Sequence, residues 1–233
     1  MSGKISAIVL AAGNGRRMNS ETKKQYMMIK GKPVLWYSLF AFEQSETDEV
    51  ILVTSKDDIE YCQNEIVDKY NLKKVKKIVE GGAERYNSVY NGLKEVTGDI
   101  VLIHDGARPM LNRKIIEECI AGAENHKACV TAVRVKDTIK ISTKDNIIDG
   151  TPDRNTLWSI QTPQAFSTSL VKEAYEKMMQ NQEKNITDDA MVVEEYSNFK
   201  VKIVEGDYKN IKITTPEDIY IAEMFLKQTQ NIV

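Results

Sequence analysis

Short apolar runs enriched in β-branched residues recur along the first 135 residues, at 5–10, 50–54, 75–79, 100–104 and 129–135. Between them, near 33–44, 57–70, 84–96 and 112–126, apolar residues return every three or four positions. The first pattern predicts strands buried on both faces and the second amphipathic helices. Together they predict an α/β fold, a mostly parallel central sheet with helices on both faces. In such sheets ligands bind beyond the carboxyl ends of the strands. The residues that matter most are therefore those just after each run: Gly13 to Arg17, Gly81-Gly82, and Asp105 to Pro109.

The rhythm breaks at 136–157. Polar and apolar residues alternate over 136–141 and 146–149 around Ser142-Thr143-Lys144-Asp145, which predicts a β-hairpin arm leaving the main sheet. A hairpin with so little to bury is poorly stable alone; packing on a second subunit and lying solvated at the surface both fit the pattern. Beyond the arm, 168–180 and 187–196 read as helices, 199–204 and 211–214 as strands, and 216–228 as a closing helix. That last helix is announced by Thr215 as N-cap, Pro216 at the first helical position and Glu217-Asp218 in the first turn. No repeat, linker or low-complexity tract divides the chain, so 1–233 is expected to be a single domain carrying the arm.

Composition narrows the chemistry. With 233 residues, 42% hydrophobic and 28% charged, the chain can bury one sizeable core. It lacks both a cleavable leader pattern and an apolar run near the roughly 18 residues a membrane span needs, so a soluble, cytoplasmic protein without a membrane partner is expected. Cys62, Cys119 and Cys129 are odd in number and widely spaced, which points to neither a disulfide framework nor a zinc site. His104 and His126 are the only histidines, which disfavours Ser/His and multi-histidine metal schemes.

Charge then singles out the amino-terminal segment. Residues 1–32 hold seven Lys or Arg against one Glu, a net +6, while the whole chain carries −2, so the rest sums to −8. Four of those cations, Arg16, Arg17, Lys23 and Lys24, follow Ala11-Ala12-Gly13-Asn14-Gly15 directly after the first apolar run. Glycines that let a backbone approach closely, with cations beside them, suit a triphosphate. A patch for nucleic acid would more often spread along a helix or tail, so no nucleic-acid partner is expected. The turn alone is weakly specific: Met18 stands where a dinucleotide fingerprint has its third glycine, and no Gly-Lys-Ser/Thr follows. A tight turn with solvated cations remains the plain alternative.

Asp105 closes the run at 100–104, inside His104-Asp105-Gly106-Ala107-Arg108-Pro109. A carboxylate beside a triphosphate commonly holds Mg²⁺ or orients a substrate oxygen; otherwise it is a turn aspartate paired with Arg108. Gly81-Gly82 with Ser88 one turn further offers close backbone approach to a base, or simply a strand-to-helix loop. Lys212 sits between Ile211 and Ile213, as a strand lysine that is either functional or exposed at an edge, and Thr187 reads as an N-cap before a ligand.

Taken in order, these blocks resemble one family. Leu10-Ala11-Ala12-Gly13-x-Gly15-x-Arg17-Met18 with Lys24-Gln25-Tyr26, Gly81-Gly82-x-Glu84-Arg85-x-x-Ser88-Val89, His104 to Pro109, Asp137-Thr138-Ile139-Lys140, Gln161-Thr162-Pro163-Gln164-x-Phe166, Thr187-Asp188-Asp189-Ala190 and Asn210-Ile211-Lys212-Ile213-Thr214-x-Pro216-Glu217-Asp218 resemble the 2-C-methyl-D-erythritol 4-phosphate cytidylyltransferases. Each block is weakly specific, whereas seven in register over nearly the whole chain are very specific. The resemblance implies a Rossmann-like nucleotidyltransferase fold and a homodimer in which one subunit's arm completes the other's site. It implies transfer from CTP, with Mg²⁺, to the polyol phosphate of the non-mevalonate isoprenoid route.

By the same resemblance, Arg17 and Lys24 stabilise the pentavalent phosphorus and Lys212 positions the attacking phosphate. Ala11, Ala12, Gly13, Gly15, Gly82 and Ser88 hold the nucleotide. Asp105 and Arg108 bind the polyol phosphate, with Asp105 near the metal. Thr138 and Arg154 reach in from the arm, and Thr162 and Thr187 add polar contacts. One departure stands out: where family members often carry an acid after the double glycine, this chain has Ala83. The competing expectations are a ribitol-5-phosphate cytidylyltransferase, which the Asp105 to Pro109 and Asp153-Arg154-Asn155-x-Leu157-Trp158 blocks disfavour, and a nucleotide-binding regulator that has lost catalysis.

Overall fold

The computed structural model describes residues 3–13, 22–181 and 185–230. Its strands, in chain order, are β1 (Ile5–Leu10), β2 (Met28–Ile29), β3 (Lys32–Pro33), β4 (Glu49–Thr54), β5 (Val75–Glu80), β6 (Ile100–Asp105), β7 (Ala128–Arg134), β8 (Ile141–Ser142), β9 (Ile148–Gly150), β10 (Trp158–Ser167) and β11 (Lys202–Glu205). The α-helices are α1 (Val34–Glu43), α2 (Ile59–Tyr61), α3 (Arg85–Glu95), α4 (Arg113–His126), α5 (Thr168–Asn181), α6 (Asp189–Ser197) and α7 (Pro216–Gln230). A 3₁₀ turn at Lys56–Asp58 and a π-helical stretch at Cys62–Asp68 flank α2, so the expected 57–70 helix is a composite.

Seven strands form one sheet in the order β11-β7-β10-β6-β1-β4-β5, every pairing parallel except those of β10. Strand alternation divides the core between its two faces. Ile5, Ala7 and Val9 of β1, Val50 and Leu52 of β4, and Leu102 of β6 pack toward α1, the composite helix and α4. Ile8, Ile51, Val53, Val101 and Ile103 pack instead against α3, α5 and α6. Helices therefore cover both faces, as the pattern predicts. A third, smaller cluster around Ile29, Val34, Ala107, Ile213 and Ala222 seats α7 near one end of the sheet.

Two elements depart from expectation. β10 is a central antiparallel strand, although Gln161, Thr162, Pro163 and Gln164 lack the apolar alternation of a buried strand. Its ladder to β7 is interrupted between Ile160 and Gln164, and the cis Thr162-Pro163 bond lies in that gap, which is how a proline fits there. The segment 211–214, expected as a strand, pairs with none of the strands: Ile213 N–H donates to the Ala107 carbonyl (2.8 Å) and its side chain buries in the third cluster.

A hairpin forms within the expected arm but is shorter than 136–149: only β8 and β9 pair with each other, outside the main sheet, around a turn at Asn146 (φ 62°). Ile141, Ile147 and Ile148 are 54%, 65% and 63% exposed along it.

Candidate active site

The carboxyl ends of β6, β1, β4 and β5 stand side by side, and backbone hydrogen bonds tie the loops that leave them. Ala11 N–H donates to the Val53 carbonyl (2.7 Å), Gly81 N–H to Thr54 (2.8 Å) and Gly106 N–H to Leu10 (2.9 Å). Above these ends opens a cleft of about 680 Å³. Ala11, Ala12, Gly13, Lys24, Gly82, Ser88, Asp105 and Lys212 all line it, so the structure brings these expected residues together. Gly15 and Arg17 lie outside the described residues.

Close approach explains the double glycine. A Cβ on Gly81 would sit 2.5 Å from the Ala12 Cβ, and one on Gly82 would sit 2.3 Å from the Asn87 Cβ. A larger residue at Gly81 would push this loop away from the β1 loop, and one at Gly82 would push it off the first turn of α3. The Ser88 hydroxyl accepts the Gly82 N–H (3.0 Å), and a capping box between Glu84 and Asn87 starts α3 there. On the other rim, buried Gln25 donates to the carbonyls of Ala11 (2.6 Å) and Gly13 (3.2 Å), which fixes the neighbouring Lys24 against the glycine turn.

Asp105 is the electrostatic centre. Lys212 Nζ lies 2.8 Å from its Oδ2, and Arg85 Nε donates to its Oδ1 at 3.3 Å. Burial would raise the Asp105 pKa, but Arg85, Lys212 and Arg108 outweigh it and hold the carboxyl well below the ordinary carboxylate range. Arg85 in turn grips the fully buried Asp189 with two bonds of 2.8 Å, and the Tyr175 hydroxyl adds a third donor to that carboxylate at 2.5 Å. Neither Arg85 nor Asp189 has a role legible in the sequence, although both lie in the family blocks. They are 104 positions apart, and an Asp at a helix start reads as a capping acid.

Other expected residues sit elsewhere. Thr162 is buried behind the cleft, its hydroxyl accepting the Asp105 N–H (3.1 Å) and meeting His104 Nδ1 (3.1 Å). Burial pushes the His104 imidazole down to about 3, so it is neutral near pH 7. Arg108 donates to the Asn210 carbonyl (2.7 Å), so the ion partners of Asp105 are Arg85 and Lys212 instead of an adjacent-turn arginine. Thr187 is exposed, with its hydroxyl 3.5 Å from Met191 Sδ; the N-cap of α6 is Asp188, which accepts the Met191 N–H (3.0 Å). Thr138 and Arg154 pair with each other at the base of the arm (2.6 Å), away from the cleft lining.

Among the described residues, none gather into a metal site of their own. Mg²⁺ is usually held by one or two carboxylates with substrate phosphates. Here both oxygens of Asp105 are engaged by cations, and among the described residues no group of three His, Cys, Asp or Glu gathers to hold a metal. The expectation of a metal at Asp105 goes no further.

Residues 5–228 match the family model described as IspD, 2-C-methyl-D-erythritol 4-phosphate cytidylyltransferase. The chain belongs to that family. It is 51% identical over 231 residues to the enzyme of that name from Lachnoclostridium phytofermentans, covering 99% of both chains. It is 55% identical over 225 residues to that from Lachnospira eligens, covering 95% of this chain and 99% of the other. Among solved structures it resembles the 4-diphosphocytidyl-2C-methyl-D-erythritol synthase of Anaerococcus prevotii, with a TM-score of 0.85 and 38% identity over 97% of each chain. Membership makes the chain a nucleotidyltransferase, and the family name accounts for a cleft at the sheet's carboxyl edge that mixes close-approach glycines with Lys24, Lys56, Arg85 and Lys212.

Proposed function

We propose that this chain transfers the cytidylyl group of CTP to 2-C-methyl-D-erythritol 4-phosphate, giving 4-CDP-2-C-methyl-D-erythritol and pyrophosphate for the non-mevalonate isoprenoid route. A phosphate oxygen of the polyol phosphate attacks the α-phosphorus of CTP in line. The bond from that phosphorus to the β-phosphate oxygen breaks, and pyrophosphate leaves. No covalent enzyme intermediate is needed, so catalysis is positioning and charge stabilisation. The observation that carries the reading is Lys212, held 2.8 Å from Asp105 in the cleft that Lys24 and the double glycine also line.

In this reading Arg17 and Lys24 stabilise the pentavalent phosphorus, and Lys212 neutralises and aims the attacking phosphate. The backbone of Ala11, Ala12, Gly13 and Gly15 cradles the triphosphate, while Gly82 and Ser88 face cytosine and ribose. With Ala83 in place of an acid, base recognition falls to backbone groups. Asp105, Arg108, Thr162 and Thr187 are the polyol-phosphate contacts of this reading; Arg108, Thr162 and Thr187 would have to act by rearrangement or through their neighbours. Mg²⁺ would be carried on the phosphates of the nucleotide, where it offsets their charge.

Thr138 and Arg154 would serve the cleft of a second subunit. Ile141, Ile147 and Ile148, left exposed on the arm, support burial against a partner in a homodimer. Among the described residues no helix is long and apolar enough to cross a membrane, and both substrates are water-soluble phosphates, which suits the cytoplasm. Pyrophosphate release from CTP, measured with methylerythritol phosphate and with ribitol 5-phosphate, tests the assignment. Faster turnover of methylerythritol phosphate is expected; faster turnover of ribitol 5-phosphate overturns it.

A further inference from the structure

Asp105 has two cations in direct contact, Arg85 and Lys212. Lys212 reaches the carboxylate from a loop with no strand pairing, and its side chain, 36% exposed, is tied to Asp105 by one ion pair. Arg85 is exposed to a similar degree, 30%, but it is tied: its guanidinium is forked onto Asp189, a side chain with 0% exposure, and Asp189 is held by two further residues. The Tyr175 hydroxyl donates to Asp189 Oδ1, and the Gln164 Oε1 accepts both the Asp189 N–H (3.0 Å) and the Ala190 N–H (2.9 Å). Gln164 is itself buried in β10, the strand paired with β6 that carries Asp105. The chain thus spends α5, α6, α3 and β10 on orienting one guanidinium at the cleft wall.

We infer that Arg85 and Asp189 are positioning residues for the transfer reaction: their forked ion pair keeps a permanent cation on Asp105, so that Lys212 can leave Asp105 for the incoming phosphate. The inference rests on the cytidylyl-transfer reading for what Lys212 does after it leaves. Its physical basis is the penalty of an unpaired buried carboxylate. Were Lys212 the sole partner, each departure toward substrate would strand Asp105, and the lysine would stay. With Arg85 fixed, the exchange is one phosphate for one carboxylate at Lys212, and Asp105 stays ionised throughout. Arginine fits the fixed post because its planar fork satisfies Asp189 with two N–H groups while Nε still faces Asp105.

The test neutralises the pair as a unit. Arg85→Gln/Asp189→Asn removes both charges together and leaves no lone buried charge, and thermal unfolding checks that the variant folds. The expected result is a kcat lower by about 30-fold with the KM for CTP within about threefold of the parent. Parent-like kcat in the folded variant, or a loss confined to KM, overturns the proposal. Should the double variant fail to fold, Arg85→Lys carries the test: it keeps the charge but loses the fork, and kcat is expected to fall about tenfold at unchanged KM. Parent-like kcat there also overturns it.

A readout without turnover separates this from the reading beneath it. The Nζ protons of Lys212, assigned by NMR through their loss in Lys212→Met, should exchange with water more slowly in the double variant, where Lys212 is the remaining cation in direct contact with Asp105. Unchanged exchange overturns the proposal whether or not the parent turns over. Slowed exchange in a protein that does not use methylerythritol phosphate overturns the substrate assignment and leaves the positioning role standing.

Discussion

Glu49 at the amino end of β4 and Asp105 at the carboxyl end of β6 are both buried carboxylates, 5% and 8% exposed, on the two strands that flank β1. Their company differs. Glu49 Oε1 accepts the Ser6 hydroxyl (2.6 Å), the Thr97 N–H (2.9 Å) and the Thr97 hydroxyl (2.8 Å), and Oε2 accepts Lys4 Nζ (2.9 Å). It is saturated mainly by small neutral donors, and nothing at that end opens into the cleft. Asp105 is held by cations and sits on the wall of a cavity. Neutral donors satisfy a carboxylate and fasten strand ends; movable cations beside a cleft leave charge that a phosphate can recruit. Burial alone does not mark a functional acid. The kind of partner does.

The sharpest way to break this comparison is to remove a cation from each end and see which loss shows in turnover. Lys24→Ala, on the cleft rim, is expected to lower turnover by at least about 100-fold while CTP still binds, as for loss of a group that acts on transition-state charge. The loss should appear in kcat in a protein that still unfolds cooperatively. Lys4→Ala should do the reverse, with turnover intact. Steady-state kinetics beside denaturant melts reads both, and unchanged turnover in Lys24→Ala removes that lysine from the mechanism.

A smaller effect concerns self-sufficiency. The amino end is complete within one chain, whereas the carboxyl end, in the proposed reading, awaits an arm from outside. If Arg154 acts in trans, mixing Arg154→Ala with Lys24→Ala protein restores activity, because a heterodimer has one site with both residues intact. Random exchange of equal amounts makes half the dimers mixed, so about a quarter of all sites should be whole. No recovery, with exchange proven by native mass spectrometry, means the arm does not serve a neighbouring site.

How far each end was legible follows from the range of its interactions. The sheet and helices came from local periodicity, and β1, β4, β5 and β6 lie within a residue or so of the expected runs. The loops after β1, β5 and β6 could be singled out because topology sends ligands to strand ends. β10 stayed hidden because its polar residues serve the interior: Gln161 and Thr162 receive Asn210, and Gln164 caps the turn into α6. Alternation misled at 211–214, where Ile213 is apolar for the sake of the third cluster and not of a ladder. The Arg85–Asp189 pair left no local trace, since each residue alone has the appearance of a solvated charge at a helix start. Glu49 was equally silent, an acid at a strand end with partners 43 and 48 positions away.

The last effect is on stability, and it turns on pH. Burial would raise the Glu49 carboxyl, but hydrogen bonds from Ser6, Lys4 and Thr97 outweigh it and bring the pKa down to about 2 from an ordinary 4.5. A carboxylate with a lower pKa folded than unfolded binds fewer protons in the folded state. Its contribution is therefore complete above about pH 4.5 and is lost as pH falls from there toward 2. Asp105 and other paired carboxylates titrate in acid too, so the parent's curve alone cannot isolate Glu49. The difference between parent and Glu49→Gln can: the two denaturant midpoints should be furthest apart above pH 4.5 and converge toward pH 2, while kcat at pH 7 stays at the parent value. A gap that stays constant with pH would assign the Glu49 contribution to packing and neutral hydrogen bonding. A fall in kcat at pH 7 would break the division between the two ends, because it would mean that the amino-end lock also sets the geometry of the cleft at the other end of the same strands.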